Sequence, residues 1–108
     1  MGRKSDSRVS KRQLSAKRNP KFKECYCYIV ECADGTFYTG WTTDLERRIK
    51  EHNAGRGSRY TRLRRPVRLV YSERQPDRSA AMRREVQIKR MNRASKLSII
   101  NFKLTIDN

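Results

Sequence analysis

Glu85 is the residue of this chain that is hardest to place as plain scaffold. Read on a helix, Ala81, Met82, Val86, Ile88 and Met91 make an apolar arc. Glu85 falls near its middle, and Arg84 and Lys89 intrude on it. A carboxylate on an inward face is costly unless it meets a cation or a metal ion. Both answers are open: an ion pair with an arginine at the core edge such as Arg48, or a divalent metal. Hard cations such as Mg2+ take one or two carboxylates and fill the rest of their shell with water and substrate phosphate. A single carboxylate therefore suffices when a phosphate is present. A second cluster points to phosphate directly. The stretch 54–65, AGRGSRYTRLRR, carries five arginines, Arg56, Arg59, Arg62, Arg64 and Arg65, around Tyr60. It is either a solvated, mobile loop or a phosphate clamp in which Tyr60 offers a ring for a base to stack on. Five like charges in so short a stretch repel one another unless an anion is near, which favours the clamp.

Three further groups belong to the same inventory. Arg48 and His52 lie one turn apart on a helix, at the border of a Leu45/Ile49 stripe, and so at the edge of the core. Each has an ordinary reading: a surface cation, and a helix-terminal imidazole near the C-terminal dipole. Tyr28 and Tyr38 stand ten residues apart. Taken alone they are sheet-packing aromatics.

The elements that must position these side chains are readable in outline. The run CYCYIVEC, Cys25 to Cys32, is aromatic and β-branched and suits a strand. Ala33-Asp34-Gly35 is a turn, and Thr36 to Trp41 returns as a second strand. A two-residue loop would put Tyr28 and Tyr38 on opposite faces. A three-residue loop with Gly35 left-handed pairs Cys32 with Thr36, Val30 with Tyr38 and Tyr28 with Gly40. The tyrosines then become diagonal neighbours on one face, and Gly40 leaves space opposite the Tyr28 ring. A helix capped by Thr42 or Thr43 runs to about Asn53 and stops at Gly55. Pro66 opens a third strand, Val67 to Glu73. A second helix spans about Ser79 to Met91, Asn92 breaks it, and a third runs to about Leu104. The order β-β-α-β-α-α predicts an α+β fold, a small mixed or antiparallel three-stranded sheet covered by helices.

Size and charge narrow the function class. The chain has 108 residues, room for one domain. It holds 27 Lys and Arg against 11 Asp and Glu, a formal net charge of +16. Charge on that scale concerns partners, not fold: nucleic acid first, anionic membrane a weaker second, because no segment has the amphipathic face that membrane binding needs. No run approaches the length of a membrane span and no signal-peptide core follows the N-terminus. Residues 1–24 contain nine basic side chains and few apolar ones, and read as a disordered tail, either a phosphate-seeking arm or a solvated appendage. Residues 25–108 form the folded unit. Cys25, Cys27 and Cys32 make an odd set with no C-x-x-C pair, so they read as buried thiols of a reducing, cytoplasmic protein and not as a zinc site.

In this order the residues resemble a known family. Tyr28 within YCYIV and Tyr38-Thr39-Gly40 resemble the two halves of the GIY-YIG motif. Thr42 through Asn53 resembles that family's helix, with Arg48 where its catalytic arginine is expected. GRGSRYTRLRRPVRLVYSE and AMRREVQIKRM resemble the small stand-alone branch known as URI-domain proteins, with Glu85 at the metal-binding glutamate. The resemblance covers residues 25 to about 100. It departs from the family at Tyr26, where the first glycine is missing, at Thr39, where many members have Ile, and at Trp41, where some have Lys. Asn101 and Asn92 compete for the Asn that members often carry on the last helix.

The resemblance implies a three-stranded antiparallel sheet flanked by helices. It implies endonucleolytic hydrolysis of phosphodiester bonds, of DNA before RNA, by in-line attack of water with Mg2+ or Mn2+ and no small-molecule cofactor. Tyr28 would be the general base or would orient the water, and Tyr38 would hydrogen-bond phosphate or water. Arg48 would stabilise the transition state, Glu85 would hold the metal, and His52 would contact phosphate or position a tyrosine. Arg56, Arg59, Tyr60, Arg62, Arg64 and Arg65 would bind nucleic acid. Substrate choice would fall to the domain, its tail or a partner protein. The alternative is a nucleic-acid-binding module, for DNA or structured RNA, that keeps the fold without turnover.

Overall fold

A computed structural model describes residues 24–107. The basic tail expected over residues 1–24 lies outside these apart from Glu24. Three strands, β1 (Cys25–Glu31), β2 (Phe37–Thr42) and β3 (Arg68–Gln75), form one sheet in the order β2-β1-β3, antiparallel throughout. The hairpin between β1 and β2 has the three-residue register: Val30 pairs with Tyr38 and Tyr28 with Gly40. Gly35 sits at φ 85°. The turn is closed by Cys32 N–H to Thr36 O at 2.8 Å and Gly35 N–H to Cys32 O at 2.9 Å. A left-handed residue there is what glycine permits at no steric cost.

Helices cover both faces. They are α1 (Leu45–Asn53), α2 (Arg59–Arg62), α3 (Arg78–Lys89) and α4 (Arg93–Asp107). Because side chains alternate along a strand, β1 supplies two cores. Cys25, Cys27 and Ile29 pack with Ala81 and Ile88 of α3 and Ile100 of α4. Tyr28, Val30 and Cys32 pack on the other side with Val67, Tyr38, Tyr60 and the Leu45 and Ile49 stripe of α1. All three cysteines are buried, and none is in a disulfide. No helix among the described residues is long and apolar enough to cross a membrane.

Several boundaries differ from the sequence expectation, each for a local reason. The N-cap of α1 is Asp44, whose carboxylate accepts from Arg47 N–H at 3.1 Å, while Thr42 Oγ1 accepts from Asp44 N–H one step upstream. The stretch expected as a loop contains α2, a single turn capped by Ser58. Val67 stands just before β3. Its backbone is held instead by the Asn53 side chain, at 2.7 Å to its N–H and 3.0 Å to its carbonyl. Asp77 caps α3 and Asn92 caps the start of α4. Of the apolar arc expected on α3, Ala81 and Ile88 are buried, but Met82 and Val86 are about half exposed. The buried line therefore runs from Ala81 past Glu85 to Ile88.

Candidate active site

Tyr28 lies at the middle of the central strand with its side chain fully buried. Its ring lies over Gly40 of β2. A Cβ at that position would come within 2.5 Å of the hydroxyl and 2.7 Å of Cζ, so only glycine leaves room for the phenol. The hydroxyl then meets two groups from α1. His52 Nε2 is 2.8 Å away, and Arg48 Nε–H donates to the same oxygen at 3.4 Å. Helical spacing explains the pairing: four residues separate Arg48 from His52, so both project from one side of α1 toward β1.

Arg48 is held from behind by Glu51 at 2.9 Å and by the Gly57 carbonyl at 3.0 Å. His52 is entirely buried. The edge expected for it is in fact interior, because α2 closes over the imidazole. Thr61 Oγ1 lies 2.7 Å from Nδ1, and a Cβ at Gly57 would overlap the ring. Tyr38 completes this side, its ring edge-on to His52 with centroids 5.3 Å apart. Tyr60 stacks on Tyr38 at 6.0 Å, and the Arg64 guanidinium lies 3.8 Å over Tyr60.

The electrostatics follow from this burial. The Tyr28 phenol is pushed up to about 12, mainly by loss of solvent. Its hydrogen bond and charge contact with Arg48 pull the other way, and the nearby charges of Tyr38 and Glu85 add to the rise. His52 is lowered to about 4, by burial first and then by the Arg48 charge, with Glu51 opposing. At neutral pH both rings are therefore uncharged.

Glu85 stands on α3, the helix that packs on the Cys27 and Ile29 face of β1, and its charge reaches Tyr28. It is about one-fifth exposed and sits 3.6 Å from Lys89, whose ammonium lies 5.8 Å from the Tyr38 ring. The pairing with Arg48 that the sequence left open is not made, since Arg48 turns to Glu51 instead. Among the described residues no cluster of three His, Cys, Asp or Glu side chains could cage a metal alone. The donor set here is one half-buried carboxylate. It fits a hard divalent cation that takes its other ligands from water and phosphate.

The loop arginines divide into two kinds. Arg64 is bound to Asp34 at 3.1 Å and to the Tyr60 carbonyl at 3.0 Å, and Arg65 to the carbonyls of Arg62 and Asn53. A base stacking on Tyr60 would have to displace Arg64 from that ring. Arg56, Arg59 and Arg62 are exposed, and their side chains form no ion pair among the described residues. Thus Tyr28, Tyr38, Arg48 and His52 come into one contact group, Glu85 touches it by charge alone, and the arginines stand on and beside α2, which closes over His52. Sequence reasoning missed Ser58 and Thr61. The spacing Ser-x-x-Thr, which lets the first hydroxyl cap the N–H of the fourth residue, was the available signal, but no apolar periodicity marked a helix there.

Residues 24–98 match the family described as the GIY-YIG catalytic domain. The chain is 53% identical over 76 residues to a UPF0213 protein of Syntrophus aciditrophicus, covering 69% of this chain and 87% of that relative. It is 55% identical over 71 residues to a UPF0213 protein of Halobacterium salinarum, covering 66% and 92%. Among solved structures it resembles the solution NMR structure of protein EF2693 from E. faecalis, with 39% identity, a TM-score of 0.52, and coverage of 76% and 88%.

Proposed function

Because this chain belongs to the GIY-YIG catalytic-domain family, we propose that it is an endonuclease hydrolysing phosphodiester bonds of nucleic acid, DNA foremost, with a divalent metal. The observation that carries this reading is the convergence on Tyr28: its hydroxyl is touched by His52 and Arg48, and Tyr38 abuts the same imidazole. A scissile phosphate against this group meets a phenol oxygen able to direct water at phosphorus. Arg48 offers a guanidinium to the charge that builds up in the transition state. Tyr38 hydrogen-bonds a phosphate oxygen. Glu85 would hold Mg2+ or Mn2+, which when bound supplies positive charge to the leaving oxygen. Arg56, Arg59 and Arg62, whose side chains form no ion pair among the described residues, contact flanking phosphates.

The second reading, a binding module without turnover, is disfavoured by Glu85. A pure binder gains nothing from a half-buried carboxylate beside its phosphate-seeking cations, since it repels the ligand. The test is cleavage of labelled DNA and RNA of varied structure with Mg2+ or Mn2+. We expect Glu85→Ala to lose at least a hundredfold in rate while affinity holds or rises. Undiminished cutting by that variant removes Glu85 as metal ligand, and a wild-type chain that binds every substrate and cuts none leaves the binding module standing.

A further inference from the structure

The imidazole of His52 has two neighbours, one on each nitrogen, and which nitrogen carries the hydrogen decides what Tyr28 can do. With the hydrogen on Nε2, the imidazole donates to the Tyr28 oxygen. The phenol hydrogen must then point into the site, and Tyr28 is only a donor there. With the hydrogen on Nδ1, the Nε2 lone pair accepts the phenol hydrogen, and a Tyr28 oxygen lone pair faces the site, free to receive a proton from water.

The surroundings favour the second arrangement. Arg48 Nε–H already donates to the Tyr28 oxygen, so a second N–H aimed at the same atom would add positive charge beside the guanidinium. On the other side, the fully buried Thr61 Oγ1 lies 2.7 Å from Nδ1 and offers a lone pair to a hydrogen there. Its own hydrogen has acceptors in Ser58, at Oγ 2.9 Å away and at the backbone carbonyl 3.4 Å away. Ser58 is fixed in turn, because its Oγ caps α2 by accepting from Thr61 N–H at 3.1 Å. Gly57 keeps the path open, since a side chain there would overlap the ring.

We propose that Thr61, held by Ser58, is a positioning residue that keeps the His52 hydrogen on Nδ1 so that Nε2 takes the hydroxyl hydrogen of Tyr28. The functional part of this rests on the nuclease reading above. As water attacks phosphorus, its proton passes to the Tyr28 oxygen and the phenol hydrogen passes to Nε2; the ester P–O bond opposite the attack breaks, its electron pair stays on the leaving oxygen, and that oxygen takes a proton from solvent, so that phosphorus keeps the new hydroxyl and the imidazole carries one added proton. The groups that face this imidazole are Tyr28 from β1, Tyr38 from β2, Arg48 and Glu51 from α1 and Thr61 from α2, while the Glu85 charge reaches Tyr28 from α3. A phenol that stays protonated until well above neutral pH has no standing phenolate to use. It needs a neutral partner to relieve it of its hydrogen in the same event.

His52 is the chain's single histidine, so the imidazole 15N spectrum of the untagged full chain reports its tautomer without ambiguity and without substrate. We expect the Nδ1–H form in the wild type and in Thr61→Ser, and a shift toward Nε2–H or a mixture in Thr61→Val and partly in Ser58→Ala. Backbone spectra of each variant check that the fold is kept. In cleavage assays Thr61→Val should lose roughly ten- to hundredfold in kcat with KM little changed, the scale typical of a lost outer partner of a working histidine, and Thr61→Ser should restore it. An Nε2–H wild type, an unaltered tautomer in a folded Thr61→Val, or an altered tautomer with undiminished kcat each overturns the proposal. A tautomer shift in Thr61→Val from a chain that cuts no substrate upholds the positioning and sinks the nuclease reading instead.

Discussion

A histidine sealed inside a protein in its neutral form is a stability sensor. The imidazole of His52 drops from 6.5 in the open chain to about 4 when folded. Between those values the unfolded chain binds the proton and the folded one does not. Stability from this group is therefore complete above pH 6.5 and is lost as pH falls toward 4, by roughly 3 kcal/mol in total. Carboxylates titrate nearby, so the comparison that isolates the effect is with His52→Gln. The wild type should lose that much more stability than the variant between pH 7 and pH 4 in urea titrations, and parallel losses would show that His52 is not held neutral. At this scale the sequence was legible where spacing alone fixes neighbours, as for Arg48 and His52 on one helix side. It was silent where a neighbour arrives from afar. Nothing in residues 45–53 announces that Thr61 will close over the imidazole, nor that Arg48 will choose Glu51 over Glu85.

The hairpin of β1 and β2 was readable as two alternative registers; the structure has the three-residue one with Gly35 left-handed, and β2 begins and ends one residue later than expected. Its register sets the Tyr28 ring on Gly40. Gly40→Ala forces a methyl group to within 2.5 Å of the hydroxyl. The buried ring has nowhere to move, so the variant should lose about 1–3 kcal/mol of stability, and kcat should collapse as the hydroxyl leaves His52. Gly35→Ala is the contrasting case: it meets nothing within 4 Å and should cost about 1–2 kcal/mol for its left-handed backbone alone, with kcat kept. Equal kcat in the two variants would refute the close-approach account of Gly40. The element that escaped sequence reading is α2. Four residues make one turn, too short for any hydrophobic period, and its cap is a side chain that also reads as loop composition. The expected inward arc of α3 was too wide for a related reason: a 12-residue helix laid on the sheet face over β1 buries one narrow line, Ala81 to Ile88, and Met82 and Val86 fall outside it.

Across the whole molecule, positive charge is plentiful, but only part of it is available. Of 27 Lys and Arg, nine stand before residue 24, and several of the others are committed to internal carboxylates or carbonyls. Replacing Arg56, Arg59 and Arg62 together by Gln should flatten the dependence of log affinity on log salt by up to about 2.7, close to 0.9 per phosphate contact for duplex DNA. Deleting residues 1–23 should flatten it separately. A slope untouched by the triple replacement would place the phosphates elsewhere on the surface.

The sheet separates two cores: one face holds Tyr28 beneath α1, and the other carries α3 and α4. The three native thiols are sealed within the two cores, and Cys27 is further quieted, its thiol raised to about 12 by burial and by the Glu73 and Glu85 charges, with Arg84 opposing. A cysteine introduced at Ser98, exposed on α4, would thus be the one sulfur open to a maleimide dye or a surface linker. The protein could be tethered or made fluorescent through α4, which packs on the sheet face opposite the one that buries Tyr28.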